Sequence, residues 1–269
     1  DLKYFNLENN QYIIDEEKGS IFHYQEENYA AYASFSKNIG EHWETKAGLR
    51  YENTAVKSSA KNFTYGQWFP SAYLSYKQKK NVFSASYSRR INRPSMSNLN
   101  PFRWYENPYS YSTGNPLLTP SYINNYEISY TYNNKLSSSI YYVRLKNAFG
   151  QVSTLDGLSQ NSNYLNHYNN NFYGVNLSYT DTFFKFWEAT ASFNASYQTS
   201  EVFNINAETS NGYSVNYSLN NTFSLNKNKT IAIFLNYDHN LPYRNVNSYF
   251  KNFFEMSSGI KISLMEKQL

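Results

Sequence analysis

The 269-residue chain has no cysteine. That removes disulfide scaffolds, Cys-ligated zinc and thiol redox chemistry from its functions at once. Charge is scarce too. Asp, Glu, Lys and Arg make up 16% of the residues, against about a quarter in an average soluble domain. The net charge of +4 is not gathered into a basic helix or stripe, so no nucleic-acid partner is indicated. No run of about 18 apolar residues occurs, which excludes a transmembrane helix. It leaves open membrane-spanning strands, whose alternating signal is weaker. The helical period never outlasts a turn or so. His23, His42, His167 and His239 lie far apart with no ligand spacing. No Ser-nucleophile motif, Gly-rich phosphate loop or carboxylate pair stands out, so no metal, cofactor or enzymatic activity is expected. No signal peptide precedes Asp1. Either an export signal has been removed or the sequence is a piece of a longer chain.

What the chain does have is aromatic rings, with 29 Tyr and 19 Phe. Disordered chains are poor in aromatics, yet the mean hydropathy of −0.71 is that of a soluble protein. Tyr, Asn and Ser in quantity with few charges suit long strands that have one apolar and one polar face. Period-2 alternation bears this out. In 42–55, Trp43, Thr45, Ala47, Leu49 and Tyr51 oppose Glu44, Lys46, Gly48, Arg50 and Glu52. The segments 186–200 and 212–226 alternate in the same way.

About eleven strands are expected, near 29–38, 42–55, 67–78, 81–91, 121–133, 136–149, 170–182, 186–200, 212–226, 229–240 and 250–265. Many exceed ten residues. Sandwich strands are usually about five or six residues long, whereas a tilted bilayer-spanning strand needs about nine to eleven. The connections alternate between short (38–41, 77–80, 133–135, 181–185, 226–229) and long (56–66, 92–120, 150–169, 201–211, 241–249). Short periplasmic turns and long extracellular loops are the habit of outer-membrane barrels. Tyr29, Trp43, Trp68, Trp187, Phe223 and Phe253 lie near strand ends, as interfacial girdles require; cross-strand packing in a soluble sheet is the other reading. The expected fold class is all-β, an antiparallel transmembrane β-barrel located in the outer membrane.

The segment 87–122 carries a resemblance. Its Arg89, Arg90, Arg93 and Pro94, then Leu99-Asn100-Pro101-Phe102, then Gly114, Asn115, Pro116, Leu118 and Pro120, with Glu127 in the next strand, closely resemble a signature of Bacteroidetes-type TonB-dependent receptors of the outer-membrane β-barrel family. Ala-Gly-Leu-Arg-Tyr-Glu at 47–52 also resembles a family strand. The resemblance implies energy-coupled uptake of an extracellular siderophore, glycan, peptide or cofactor through a gated barrel of about 22 strands. It implies partnership with a plug domain and TonB, lipopolysaccharide and lipid around the barrel, and a surface lipoprotein as a further partner. Neither a plug nor a TonB box is visible in the sequence. With about half the strands present, an odd count and an end at Glu266–Leu269, 1–269 is expected to be a partial barrel that does not close alone. A passive porin-like or structural barrel and a surface-binding module are the alternative functions.

The loop 92–120 has two readings. One is a ligand-contacting or lumen-folded loop, with its variable core, Arg103, Trp104, Tyr105, Tyr109 and Tyr111, as the ligand candidates. The other is a structural loop packed on the barrel rim. Glu44, Lys46, Arg50, Glu52, Arg90, Arg144 and Lys146 are expected to face the lumen, paired across a hydrated wall or meeting a plug. Arg89 is expected to face outward near the extracellular rim, within reach of lipopolysaccharide phosphate.

Overall fold

The computed structural model describes residues 2–8, 11–206, 209, 211–244 and 249–263. Strands β1 (Leu2–Glu8) and β2 (Gln11–Ser20) pair antiparallel as a separate hairpin that the alternation pattern had not marked. Four long strands follow, β3 (Tyr24–Ile39), β4 (Trp43–Ser58), β5 (Phe63–Gln78) and β6 (Asn81–Asn92). The segment 93–120 holds one turn of helix, α1 (Met96–Leu99), and a short hairpin, β7 (Trp104–Asn107) with β8 (Ser110–Thr113). Next come β9 (Ser121–Tyr132), β10 (Leu136–Asp156), β11 (Ser159–Phe183), β12 (Trp187–Val202), β13 (Asn211–Ser224) and β14 (Ile231–Asn240). A second small hairpin, β15 (Tyr243–Arg244) with β16 (Tyr249–Phe250), precedes β17 (Phe253–Ile262).

The long strands form one antiparallel meander in the order β3-β4-β5-β6-β9-β10-β11-β12-β13-β14-β17. Each expected strand is present. β3 and β17 are the two edges and do not pair with each other. Among the described residues no helix is long and apolar enough to cross a membrane.

The register sorts the side chains into two faces. On one face Tyr87, Tyr126, Tyr142, Tyr173, Tyr197 and Tyr213 stand directly opposite one another across six consecutive strands. Their rings meet at 4.7 Å (Tyr87–Tyr126), 5.8 Å (Tyr126–Tyr142), 4.9 Å (Tyr142–Tyr173) and 4.7 Å (Tyr197–Tyr213). Near the short turns the same face carries a second row, Phe183, Trp187, Phe223, Ile233 and Ile260. From Tyr173 to Phe183 the strand advances about 34 Å, or about 25 Å vertically at a tilt of 40–45°. That is the height of an outer-membrane barrel's apolar band. Residues between the rows, such as Ile128, Ile140, Leu177 and Leu219, are large, apolar and exposed.

The opposite face is held by polar pairs: Ser84 with Ser129 at 2.6 Å, Thr180 with Thr190 at 2.9 Å, and Asn194 Nδ2 donating to Asn216 Oδ1 at 2.8 Å. Tyr141 lies on this face over Gly174, where a Cβ would fall into its ring. The small residue is what lets the aromatic lie flat against the sheet.

One expected loop is not a loop. Residues 150–169 extend β10 and β11 into a long hairpin closed by Gly157 (φ +60°) and Leu158. Its Asn-rich second arm reads as a loop because Asn is depleted in strands. The ladder bonds are made by the backbone, and beyond the apolar band both faces are free to be polar.

Candidate functional site on the polar face

The segment 93–120 is fastened to the polar face at its start by Arg93. Its Nη2 donates to Glu52 Oε2 at 2.6 Å and to Thr54 Oγ1 at 3.1 Å, and its Nε donates to the Tyr65 hydroxyl at 3.2 Å. Glu26 Oε1 lies 3.3 Å from the same Nε. Glu52 is 6% exposed and Thr54 is fully buried. The second Glu52 oxygen takes Arg50 Nε at 2.9 Å. Two arginines and two glutamates from β3, β4 and the segment thus neutralise one another, with hydroxyls closing the remaining hydrogen bonds. Arg50 and Glu52 of this centre are among the nominated lumenal charges, whereas Arg93 and Glu26 are not. Arg93 was visible only as part of a signature, and Glu26 falls in the start of β3, ahead of the expected strand boundary.

The rest of the signature knits the segment to itself. The Gly114 N–H donates to the Asn100 carbonyl at 2.8 Å and the Asn115 N–H to the Asn98 carbonyl at 2.7 Å. A Cβ on Gly114 would sit 2.5 Å from the Asn100 carbonyl oxygen and 2.6 Å from that of Asn98, so only glycine permits this approach. Asn115 Oδ1 accepts the Leu117 N–H, and its Nδ2 donates to the Tyr164 carbonyl on β11 at 2.9 Å. Asn166 Oδ1 accepts the Thr119 N–H at 3.0 Å. Leu99, Phe102 and Leu118 are buried within this fold. The conformation is therefore set by backbone closure and apolar burial, and it leaves the tip outside.

That tip is the β7–β8 hairpin, which gathers the five nominated ligand residues. β8 adds to the start of β11 in parallel, Ser110 opposite Gln160 through Thr113 opposite Asn163. Tyr105 pairs with Tyr111, their rings 5.5 Å apart, and the Arg103 guanidinium lies 4.9 Å over Tyr111. A hydrogen bond with the Tyr105 side chain raises the Arg103 pKa above its ordinary value. Trp104, opposite Ser112, points to the other face and is 53% exposed; Tyr109, in the turn, is 61% exposed. The five residues share one hairpin but two surfaces.

Of the nominated lumenal charges, Glu44 and Lys46 ion-pair at 2.8 Å on β4, and Lys46 lies 5.5 Å over Tyr73. Arg50 packs 5.2 Å over Phe69. Arg90 is exposed and helps line a groove of about 510 Å³, with Tyr32, Arg50 and Phe69 as walls and Gly48 and Ser71 in the floor.

Two assignments are corrected, and a third gains partners. Arg144 stands opposite Asn124 and Asn171, and Lys146 opposite Tyr122, which puts both in line with Ile140 and Tyr142 on the apolar face, not on the lumenal one. They lie just beyond the tyrosine row, where the strands leave the apolar band and the outer face turns polar. Arg89 is not free at the outer rim. Its Nη2 donates to Gln67 Oε1 at 3.1 Å and it lies 5.2 Å over Tyr122. Gln67 stands opposite Glu52 in the polar-face row. The β5–β6 ladder ends at Ser71–Ser88, one residue short of Pro70, which has no N–H to give.

Among the described residues no cluster of His, Asp or Glu could hold a metal ion. No curated protein matches the sequence. Among solved structures, the copper transporter OprC superposes with a TM-score of 0.71 at 13% identity, over 98% of this chain and 44% of that one. The FrpB iron transporter from Neisseria meningitidis (F5-1 variant) gives 0.57 at 14% identity, over 89% and 39%. The siderophore receptor PirA from Pseudomonas aeruginosa gives 0.54 at 12% identity, over 90% and 52%. At such identities the likeness is one of fold, and the chain spans about half or less of each of these proteins. The apolar band, the polar inner face and the short-turn, long-loop phase are those of an outer-membrane wall, and the outer membrane protein beta-barrel family model matches residues 1–269, so the chain belongs to that family.

Proposed function

We propose that this chain forms part of the wall of a TonB-dependent receptor that takes up an extracellular ligand, and that the β7–β8 hairpin is where the wall touches that ligand. The observation that carries the reading is the build of the segment 93–120. Its base is fixed by Arg93 and by the closure at Gly114, while Trp104 and Tyr109 stay exposed at its tip. An ordered base presenting open rings is how a wall offers a binding edge at low entropic cost. The solved proteins of like fold carry copper, iron and siderophores in their names, which supports a small-ligand receptor. A plug domain and TonB are the partners this reading calls for, and a surface lipoprotein would meet the wall on the extracellular side.

Two measurements on the full-length receptor in whole cells test this. Uptake of the ligand should stop when the proton-motive force is collapsed; uncoupler-insensitive uptake would replace the reading with a passive pore. Removing two stacking rings, Trp104→Ala with Tyr109→Ala, should weaken surface binding by about tenfold or more. Unchanged binding would remove the hairpin from the ligand site.

A further inference from the structure

The short connections of the meander, 40–42, 79–80, 133–135, 184–186 and 225–230, contain six lysines, Lys79, Lys80, Lys135, Lys185, Lys227 and Lys229, and one acidic residue, Glu41. That is a net +5, against +4 for the whole chain, so everything else sums to −1. Lys79, Lys185 and Lys229 adopt φ of 52°, 66° and 52°. This is the left-handed region, where Gly or Asn is sterically easier. Charge has been placed at these turns against their conformational preference. Lys135 is bonded to Asp181 at 2.6 Å; the other five are exposed and form no ion pair among the described residues.

Beside this basic rim the apolar face is hollowed. A groove of about 420 Å³ runs between Leu136, Leu177, Tyr179, Ala191, Phe193 and Leu219. The small Ala191, between Tyr179 and Leu219 in the register, leaves the hollow. Its turn-side end is closed by Tyr179, whose hydroxyl donates to Asp181 Oδ2 at 2.8 Å, and by Lys135 on the same carboxylate.

We propose that the periplasmic rim is a binding collar for anionic phospholipid of the inner leaflet, with lysines reading headgroup phosphate and the groove cradling an acyl chain. Short turns mark the periplasmic side of the wall. The lysines are spread over four successive turns, next to the interfacial rings of Trp43, Phe184 and Trp187, and so follow the plane of a leaflet. A single protein partner would instead meet a localised patch. Basic side chains at an anionic lipid surface each add attraction, and the groove supplies the contact that fixes the lipid beside them. The collar does not depend on which ligand the receptor carries.

The test is native mass spectrometry of the full-length receptor titrated with dioleoylphosphatidylglycerol and dioleoylphosphatidylethanolamine. Wild type should retain the anionic lipid at least about fivefold better, as accumulated lysine attraction implies. K79Q/K80Q/K227Q/K229Q should bring the preference below about twofold, and the matching Lys→Arg variant should keep it. Heat-modifiable gel mobility shows that each variant is folded. An undiminished preference in the Gln variant overturns the collar. So does a loss shared by the Arg variant, because then charge is not what is read. Equal retention of both lipids by wild type, with lysine-dependent cross-linking to a periplasmic protein, overturns it in favour of a protein partner. Ala191→Phe, which fills the groove, should lower retention of both lipids and leave their ratio unchanged; unaltered retention removes the groove from the site.

Discussion

Replacing Arg93 by Ala removes the partner of a carboxylate that is 6% exposed. Breaking a buried pair by deleting one member costs about 3–5 kcal/mol, because the remaining charge is stranded. Here Arg50 still holds the other Glu52 oxygen at 2.9 Å, and the Arg93 side chain itself is 23% exposed. Both facts reduce the loss, to about 2–3 kcal/mol. Urea unfolding of the refolded barrel in detergent, followed by Trp fluorescence, measures it. Glu52→Gln alone should cost less, since Arg93 keeps Glu26, Thr54 and Tyr65. The double variant should fall short of the summed single effects by about 1 kcal/mol or more if the two side chains are energetically one unit. Freed from the wall, the segment 93–120 should also become open to trypsin at Arg103. A variant that unfolds with wild type and keeps Arg103 protected would refute the idea that this cluster fixes the segment.

Val215→Arg places a charge on the apolar face, opposite Ala195, and should cost about 2–4 kcal/mol in the same unfolding assay. Asn216→Arg, one residue along and on the polar face, should be mild, and equal costs would reject the face assignment. Gly114→Ala pushes a methyl against two carbonyl oxygens that belong to backbone; it should cost about 1–3 kcal/mol and loosen the segment to protease, whereas wild-type behaviour would deny the close approach. Circular dichroism in detergent should show a β minimum with helix far below a fifth of the residues, consistent with one helical turn, Met96–Leu99, among the described residues.

The sequence by itself determined the strands, because period-2 alternation is a local property: Tyr213, Val215, Tyr217 and Leu219 oppose Ser214, Asn216 and Ser218 whatever lies next to them. It also determined the membrane reading, because strand length and the phase of short and long connections need no neighbour to be counted. It could not determine where the apolar band stops. Arg144 looks lumenal from its charge, and only its position one step past the tyrosine row, fixed by pairing with Asn124 and Asn171, shows that it lies on the outer face above the lipid. Nor could it show that the Asn-rich 159–166 is strand, since the partner that makes it one is 149–156 across a two-residue turn. Arg89 needed the tertiary structure because only the folded sheet brings Gln67 and the Tyr122 ring to its guanidinium. Arg93 needed it most. Its meaning lies in Glu26, Glu52, Thr54 and Tyr65, which come from three different strands and are far from it in the chain, and no spacing in the sequence announces a convergence that only the folded sheet creates.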